Sequence, residues 1–217
     1  MLFKEVVNIG KPKIFEDRAL LYNVLSQALY TPSDLESQNE LKTLLPATRQ
    51  VSLVKMNPET IDKFVDAWIT AWDNPQGDLK EEYTRLFIND YPELKCPPFE
   101  TYWATGERTI YGHNYGSLLR IYREAGLDRA PDVGLPLEHV ALELELMYYL
   151  VASSPRQPEY LYLQEKLFLE HIGKWADGYS RCLEENAKLE NYRATARLLR
   201  EFVASEQAFF EESKFCE

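Results

Sequence analysis

Residues 14–30 read IFEDRALLYNVLSQALY, and their apolar side chains recur every three or four positions. This spacing aligns the apolar side chains on one face of an α-helix, as in a helix that packs against a hydrophobic core. Thr31 and Pro32 follow directly, and proline cannot continue a helix. The stretch therefore predicts a core helix that ends at Tyr30.

The same helical periodicity recurs along the rest of the chain. Ser33 is expected to cap a helix through Leu45, and the order Asn57-Pro58-Glu59 predicts a helix start that leads to about Trp72. Further helices are expected over about 78–87, 117–125, 137–152, 159–185 and 190–210. No segment shows the sustained alternation of a β-strand. The sequence predicts an all-α fold, a single compact multi-helical domain over residues 1–217 with roughly eight to ten helices.

The composition narrows the function classes. Lys and Arg number 24 against 35 Asp and Glu, a net charge of −11, whereas nucleic-acid binding needs a basic surface. Aromatic residues make up 13% of the chain, which argues against intrinsic disorder. No stretch approaches the roughly 18–20 apolar residues of a membrane span, and the N-terminus lacks the order of a secretory signal. We expect a cytoplasmic protein without nucleic-acid partner or stable membrane insertion.

The cysteines and the acidic pairs are not predicted to form functional sites. Cys96, Cys182 and Cys216 are odd in number and far apart, so their spacing predicts neither a disulfide framework nor a CxxC metal site. Cys182 is expected to be an ordinary small apolar residue of a helix. The pairs Glu81–Glu82 and Glu184–Glu185 are expected to lie on solvated helix faces.

Two proline-rich loops, Asp90–Trp103 and Leu127–Pro136, interrupt the helical pattern. Connections in compact domains usually have about 4–6 residues, so an ordered loop of this length is a candidate for function. The first loop combines aromatic residues with Glu93 and Glu100, which suits a partner segment that is apolar in one part and cationic in another. The alternative is that these aromatic side chains only fasten the loop to the core.

Catalytic and cofactor motifs are missing from the sequence. It contains no GxxxxGK[ST], GxGxxG or GxSxG motif. His139 and Glu143 are four residues apart on one predicted helix, but no Glu-x-x-His motif supplies a second ligand pair. We therefore predict no catalytic residue, no metal and no cofactor. A small helical metal-dependent enzyme that uses His139 and Glu143 is the alternative, and a helix cap is the structural interpretation of His139.

Four motifs occur in order along the chain: YTRLF at 83–87, CPPFETY at 96–102, PLEH at 136–139 followed by ELELM at 143–147, and HIGKW at 171–175 with Tyr192 and Ala196 beyond it. Together they resemble the TorD/DmsD family of redox enzyme maturation chaperones, which is related to the NarJ chaperones. The resemblance extends from about residue 14 to residue 210.

The resemblance implies a cytoplasmic, non-enzymatic chaperone. Such a protein binds the twin-arginine signal peptide of a molybdopterin-containing oxidoreductase, and in some members its mature part, and assists folding, cofactor insertion and assembly before export. It occurs as a monomer or a domain-swapped dimer. By motif, the resemblance assigns signal-peptide binding to Tyr83, Leu86, Phe87, Pro98, Phe99, Glu100, Tyr102, Pro136, Glu138 and His139. It adds Tyr30, just before Thr31 and Pro32, as a residue near an aromatic contact of the family.

Overall fold

Ten α-helices and one π-helical turn make up the described part of the chain, which covers residues 13–73, 77–127 and 134–213 of a computed structural model. In chain order the elements are α1 (Lys13–Leu29), α2 (Leu35–Thr48), α3 (Pro58–Asp73), α4 (Leu79–Phe87), α5 (Glu100–Thr105), α6 (Tyr115–Glu124), α7 (Val140–Ser153), α8 (Tyr160–Leu167), the π-helical turn (Phe168–Ile172), α9 (Gly173–Asn186) and α10 (Glu190–Ser213). The described residues contain no β-strand, and the predicted all-α fold is confirmed.

Helix α7 lies at the centre of the fold. Its sequence, VALELELMYYLVAS, is apolar on nearly every side, which is typical of a helix surrounded by other elements. It packs most extensively against α1, whose Leu21, Val24 and Leu25 are completely buried as the periodicity predicts. Helix α10 closes the other side of the fold against α9 and α3. None of the described helices has both the length and the apolar content needed to cross a membrane.

A buried ion pair joins α1 to α10. Arg18 Nε lies 2.6 Å from Glu206 Oε1, and Arg18 Nη2 lies 2.8 Å from Glu206 Oε2. The Tyr22 hydroxyl donates to Glu206 at 2.7 Å, and Gln164 accepts from Arg18 Nη1 at 3.1 Å. Because both charges are paired and hydrogen-bonded on several sides, the fold tolerates their removal from water.

Side-chain caps set several helix boundaries. Asp34 Oδ1 accepts from the backbone N–H groups of Glu36 and Ser37 at 3.1 and 3.4 Å, so the cap of α2 is Asp34 and the prediction of Ser33 is wrong. Serine and aspartate are both good caps, and the sequence pattern does not separate adjacent candidates. The Asn57 cap is confirmed, because its side chain accepts from the backbone N–H of Glu59 at 3.0 Å.

The prediction of solvated acidic pairs is wrong for Glu82, which is only 5% exposed. Its carboxylate forms two hydrogen bonds of 2.9 Å with Arg85 and accepts from the backbone N–H of Lys188, in the connection between α9 and α10. Glu82 therefore joins α4 to that connection. Its neighbour Glu81 is exposed, as predicted.

Cys96 and Cys182 form a disulfide bridge, with their Cα atoms 5.9 Å apart. The predictions that the cysteines form no disulfide and that Cys182 is an ordinary apolar residue are therefore wrong. Folding brings together two cysteines 86 positions apart, which local spacing rules do not detect. The bridge fastens the loop before α5 to α9, and the backbone N–H of Cys96 also donates to the carbonyl of Leu86 at 3.0 Å.

We expect reduction of the Cys96–Cys182 bridge to lower the free energy of unfolding by about 2–5 kcal/mol, because the bridge restricts the unfolded chain. Urea unfolding with and without dithiothreitol measures the difference. A variant with both Cys96→Ser and Cys182→Ser should unfold like the reduced protein and should not respond to the reductant. Equal urea midpoints for the oxidised and the reduced wild-type protein would contradict this expectation.

Candidate functional site

The first motif lies on the buried face of α4. Tyr83, Leu86 and Phe87 are 5%, 0% and 4% exposed. The Phe87 ring packs edge-on against Tyr83, with ring centroids 4.9 Å apart, and against Tyr192 of α10 at 5.7 Å. Burial raises the pKa of Tyr83 to about 12, so its hydroxyl stays protonated at neutral pH. In this structure these three side chains fasten α4 to the core.

Backbone pairing brings the second and third motifs together. The N–H of Glu100 donates to the carbonyl of Glu138, and the N–H of Val140 donates to the carbonyl of Pro98, each at 3.0 Å. These bonds form the isolated antiparallel bridge between Phe99 and His139, whose rings pack edge-on with centroids 5.7 Å apart. The proline-rich loop is therefore held against the start of α7.

Glu138 and His139 form hydrogen bonds with other residues of the chain. The Glu138 carboxylate accepts from the backbone N–H and the hydroxyl of Thr101 and from the backbone N–H of Tyr111. His139 Nδ1 accepts from the backbone N–H of Ala141 at 3.2 Å, so His139 is a helix cap of α7. Burial lowers the pKa of His139 to about 3, so the ring is neutral at physiological pH.

A buried network joins the second and fourth motifs. His171 Nδ1 lies 2.8 and 3.0 Å from the two carboxylate oxygens of Glu100, and both side chains are essentially without solvent contact. Trp175 Nε1 donates to Glu143 of α7 at 2.8 Å. Burial raises the pKa of Glu143 well above its usual range, and the nearby Glu100 carboxylate adds to the effect. We name Glu100, Glu143, His171 and Trp175 the acid–histidine network.

The remaining assigned residues lie apart from this network. Tyr30 is 8% exposed and its hydroxyl donates to Glu145 at 2.6 Å, so it has a partner within the core. Pro98 is buried and Pro136 is half-buried. Residues 128–133 of the second proline-rich loop lie outside the described part of the chain.

Phe99 and Tyr102 are the half-buried members of the second motif, and both line an open groove of about 430 Å³. We name this feature the aromatic groove. Its wall residues are Leu94, Pro97, Phe99, Tyr102, Arg108, Thr109 and Ile110. At its rim, Arg108 and Glu93 form an ion pair of 2.6 Å with both side chains more than half exposed. The groove therefore offers an apolar floor beside one exposed acid and one exposed base.

Sequence reasoning found only part of this groove. Phe99 and Tyr102 belong to a motif and Glu93 lies in the proline-rich loop, whereas Arg108, Thr109 and Ile110 belong to no motif. Their connection between α5 and α6 has no repeated pattern. The sequence signal for this connection is Gly106. Its φ of 76° is typical of the residue that ends a helix, and α5 ends there.

The geometry gives the metal-enzyme alternative no support within the described residues. No group of three His, Cys, Asp or Glu side chains in residues 13–73, 77–127 and 134–213 could hold a metal ion. His139 Nδ1 and Glu143 Oε2 are hydrogen-bonded to Ala141 and Trp175 respectively. The Ser117 hydroxyl oxygen lies 3.4 Å from His171 Nε2. The same hydroxyl donates its hydrogen to Glu170 at 2.8 Å, so that hydrogen is not directed at His171.

Comparisons with known proteins agree with the motifs. The sequence model of the family described as nitrate reductase delta subunit matches residues 52–181, more than half of the chain. The chain is 23% identical over 201 residues to a chaperone protein TorD of Ferrimonas balearica, which covers 90% of this chain and 91% of that protein. It is 28% identical over 130 residues to the Tat proofreading chaperone DmsD of Salmonella typhimurium, covering 60% of this chain and 61% of that protein.

The fold is also similar to that of a solved structure. A crystal structure assigned to a redox enzyme maturation protein from Archaeoglobus fulgidus superposes with a TM-score of 0.55 at 20% sequence identity. The match covers 91% of this chain and 99% of the other. At this level of identity the similarity supports the all-α fold.

We expect the protonated form of Glu143 to stabilise the fold. Because its pKa is raised in the folded state, its contribution is fully present below the ordinary value of 4.5 and is lost as pH rises towards the folded-state pKa. Glu143→Gln copies the protonated form and should remove this loss. Urea midpoints measured between pH 5 and pH 8 should fall more steeply for wild type than for Glu143→Gln. Parallel pH profiles would show that Glu143 is ionised in the folded protein.

Proposed function

The chain belongs to the nitrate reductase delta subunit family, and its four motifs resemble those of the TorD/DmsD chaperones. We propose that it is a chaperone for the twin-arginine signal peptide of a molybdopterin-containing oxidoreductase. It holds the precursor in the cytoplasm and assists folding, cofactor insertion and assembly before export. The chaperone also contacts the mature part of the precursor. The TorD and DmsD chaperones among its relatives support the general role, and the aromatic groove supports the peptide-binding step.

The aromatic groove is the observation on which the peptide-binding proposal rests. A twin-arginine leader has a cationic start followed by an apolar stretch. Pro97, Phe99 and Ile110 form an apolar surface on which that stretch can pack. Fully burying each aliphatic or aromatic side chain of the peptide contributes about 1.5–3 kcal/mol. An exposed ion pair contributes only about 0–1 kcal/mol, so apolar contact supplies most of the affinity.

The acidic contact of the peptide is Glu93 in this proposal. Glu100 and Glu138 are each 1% exposed, and their carboxylates bond to His171, Thr101 and Tyr111 within the chain. Glu93 is more than half exposed and its present partner, Arg108, is exposed as well. An arginine of the leader can replace Arg108 at little cost, because the exposed pair is weak.

The eleven residues assigned by the resemblance then divide between two tasks. Phe99 and Tyr102 contact the peptide from the groove wall, and Pro136 contributes from the second loop. The buried members have structural roles within the chain: Tyr30, Tyr83, Leu86, Phe87, Pro98, Glu100, Glu138 and His139. The protein works as a monomer or a domain-swapped dimer, without nucleic acid and without stable insertion into the membrane.

We expect a synthetic leader with two adjacent arginines and an uninterrupted apolar stretch to bind the folded protein with a dissociation constant near the micromolar range, about −8 kcal/mol. Isothermal titration calorimetry measures the affinity and the heat capacity change, which should be negative because apolar surface is buried. Replacing the apolar stretch by serine and glycine should abolish binding. A folded sample that binds no such leader would refute the proposal.

Two substitutions test which surface binds the leader. Ile110→Asp should weaken binding about tenfold or more because it places a charge on the apolar floor. Ile69→Asp is the matched control, since Ile69 is 41% exposed on α3 and Ile110 is 39% exposed. Glu93→Gln should weaken binding by up to about fivefold and reduce its salt dependence. Glu59→Gln controls for the loss of an exposed acid, and equal effects of test and control variants would place the leader elsewhere.

A further inference from the structure

One wall of the aromatic groove belongs to a segment with little packing of its own. Residues 88–95, which connect α4 to Cys96 and are all described by the structure, include no buried side chain. Tyr91 is 91% exposed, and Glu93 forms the exposed ion pair with Arg108. A segment with few buried contacts opens at a low free-energy cost unless its ends are fixed.

The Cys96–Cys182 bridge fixes the far end of this segment. Cys96 is completely buried, and its bridge to α9 is the covalent anchor. The hydrogen bond of 3.0 Å from its backbone N–H to the carbonyl of Leu86 is a second, weaker anchor. Leu94, two residues before Cys96, and Pro97, immediately after it, both line the aromatic groove. The state of the bridge therefore bears directly on the position of the groove wall.

Reduction of the bridge changes the contact between the segment and α9. Two non-bonded sulfur atoms require more space than two bonded ones, so Cys96 moves away from Cys182. The carbonyl oxygen of Lys95 lies 3.1 Å from Cys182 Sγ and gains only one weak hydrogen bond from the new thiol. The Trp103 indole still donates to the carbonyl of Pro97, at 2.7 Å in this structure. Reduction therefore releases the segment before Cys96 and leaves the proline end of the loop attached.

The bridge can be reached from the side of α9. Cys182 is half-buried, whereas Cys96 is completely buried, so a small thiol meets the Cys182 sulfur first. The proposed function places the protein in the cytoplasm, where disulfides are rare and those that form are mostly transient, catalytic or redox-sensing. A bridge beside a binding surface in that compartment favours a regulatory role over a purely structural one.

We propose that Cys96 and Cys182 form a redox-modification site that controls the aromatic groove, with the thiol and disulfide forms of glutathione as reactants. A glutathione thiolate attacks Cys182 Sγ, the bridge breaks, and Cys96 leaves as a thiolate that takes a proton from water. A second glutathione thiolate attacks the glutathione sulfur of the mixed disulfide. This step forms glutathione disulfide and releases the Cys182 thiolate, which also takes a proton from water. The protein gains two electrons and two protons, and the reverse steps restore the bridge.

The oxidised form is the form that binds the leader tightly. It holds Glu93 and Leu94 in place before the leader arrives, whereas the reduced form has to order them on binding. We expect the reduced form to bind about tenfold more weakly, which corresponds to a wall in place about a tenth of the time. Because such coupling is reciprocal, saturating leader should raise the equilibrium constant for oxidation by the same factor. This inference rests on the proposed function for its ligand, but the chemistry of the bridge does not.

A glutathione titration tests the redox chemistry in a full-length Cys216→Ser background, which leaves two cysteines. The protein is equilibrated with mixtures of glutathione and glutathione disulfide, free thiols are alkylated with iodoacetamide, and mass spectrometry counts the molecules with no adduct and with two. Both forms should be populated across the mixtures, and the reduced form should keep its helical circular dichroism. A bridge that no mixture opens, or a reduced form without the helical signal, would overturn the proposal.

Trypsin cleavage after Lys95 measures release of the segment without any leader. Cleavage should be at least about tenfold faster in protein that has been reduced and freed of reductant than in oxidised protein, because the opened segment is more often accessible. A methylene bridge between the two sulfur atoms, made from the reduced protein with dibromomethane, is the matched control. It should resist cleavage like the disulfide, and equal cleavage of reduced and oxidised protein would overturn the proposal.

Calorimetry with the twin-arginine leader then separates the two proposals. Oxidised protein should bind about tenfold more tightly than reduced protein, and the methylene-bridged protein should bind like the oxidised form even with dithiothreitol present. Equal affinities of the oxidised and reduced forms would overturn the redox control and leave the proposed function standing. If no form binds a leader while the glutathione titration and the trypsin cleavage respond as expected, the proposed function fails and the redox site stands.

Discussion

The contact between Glu100 and His171 joins the start of α5 to the π-helical turn, and the surrounding loops and helices depend on it. Both side chains are buried, so each requires a partner, and the 2.8 Å contact supplies it. Glu100 begins α5 and His171 lies in the π-helical turn, while Glu143 and Trp175 link α7 to α9 close by. The extra residue of the π-helical turn changes the direction in which the His171 side chain projects from the helix. Gly173 follows, where a Cβ atom would lie 2.9 Å from the carbonyl oxygen of Phe168.

The aromatic groove is built on the outer surface of this network. Pro97 and Phe99 come immediately before Glu100, and the Trp103 indole donates to the Pro97 carbonyl at 2.7 Å. On the other side, Glu138 holds the backbone of Tyr111, next to Ile110. Most of the motif residues are therefore buried supports, and the wall of the groove also includes residues that belong to no motif, such as Arg108 and Ile110.

The sequence predicts elements well where the physical signal is local. Helical periodicity predicts α1, α3 and α10 within one to three residues of their observed ends. The start of α5 at Glu100 was missed because three prolines just before it indicate an extended segment. The burial of Glu82 was missed because its partners, Arg85 apart, lie about a hundred positions away in the chain.

The disulfide has a topological consequence. Cys96 and Cys182 close a covalent ring that contains α5 to α8, the π-helical turn and α9 as far as Cys182, whereas α1 to α4 on one side and the end of α9 with α10 on the other extend from it as two tails. Any single cut of the backbone between residues 97 and 181 leaves two pieces that remain one molecule until the bridge is reduced. In a nicked molecule the ring is open, but the bridge between Cys96 and Cys182 still joins the two pieces and the tails they carry. Its core can therefore reassemble as a unimolecular reaction, at a rate independent of protein concentration.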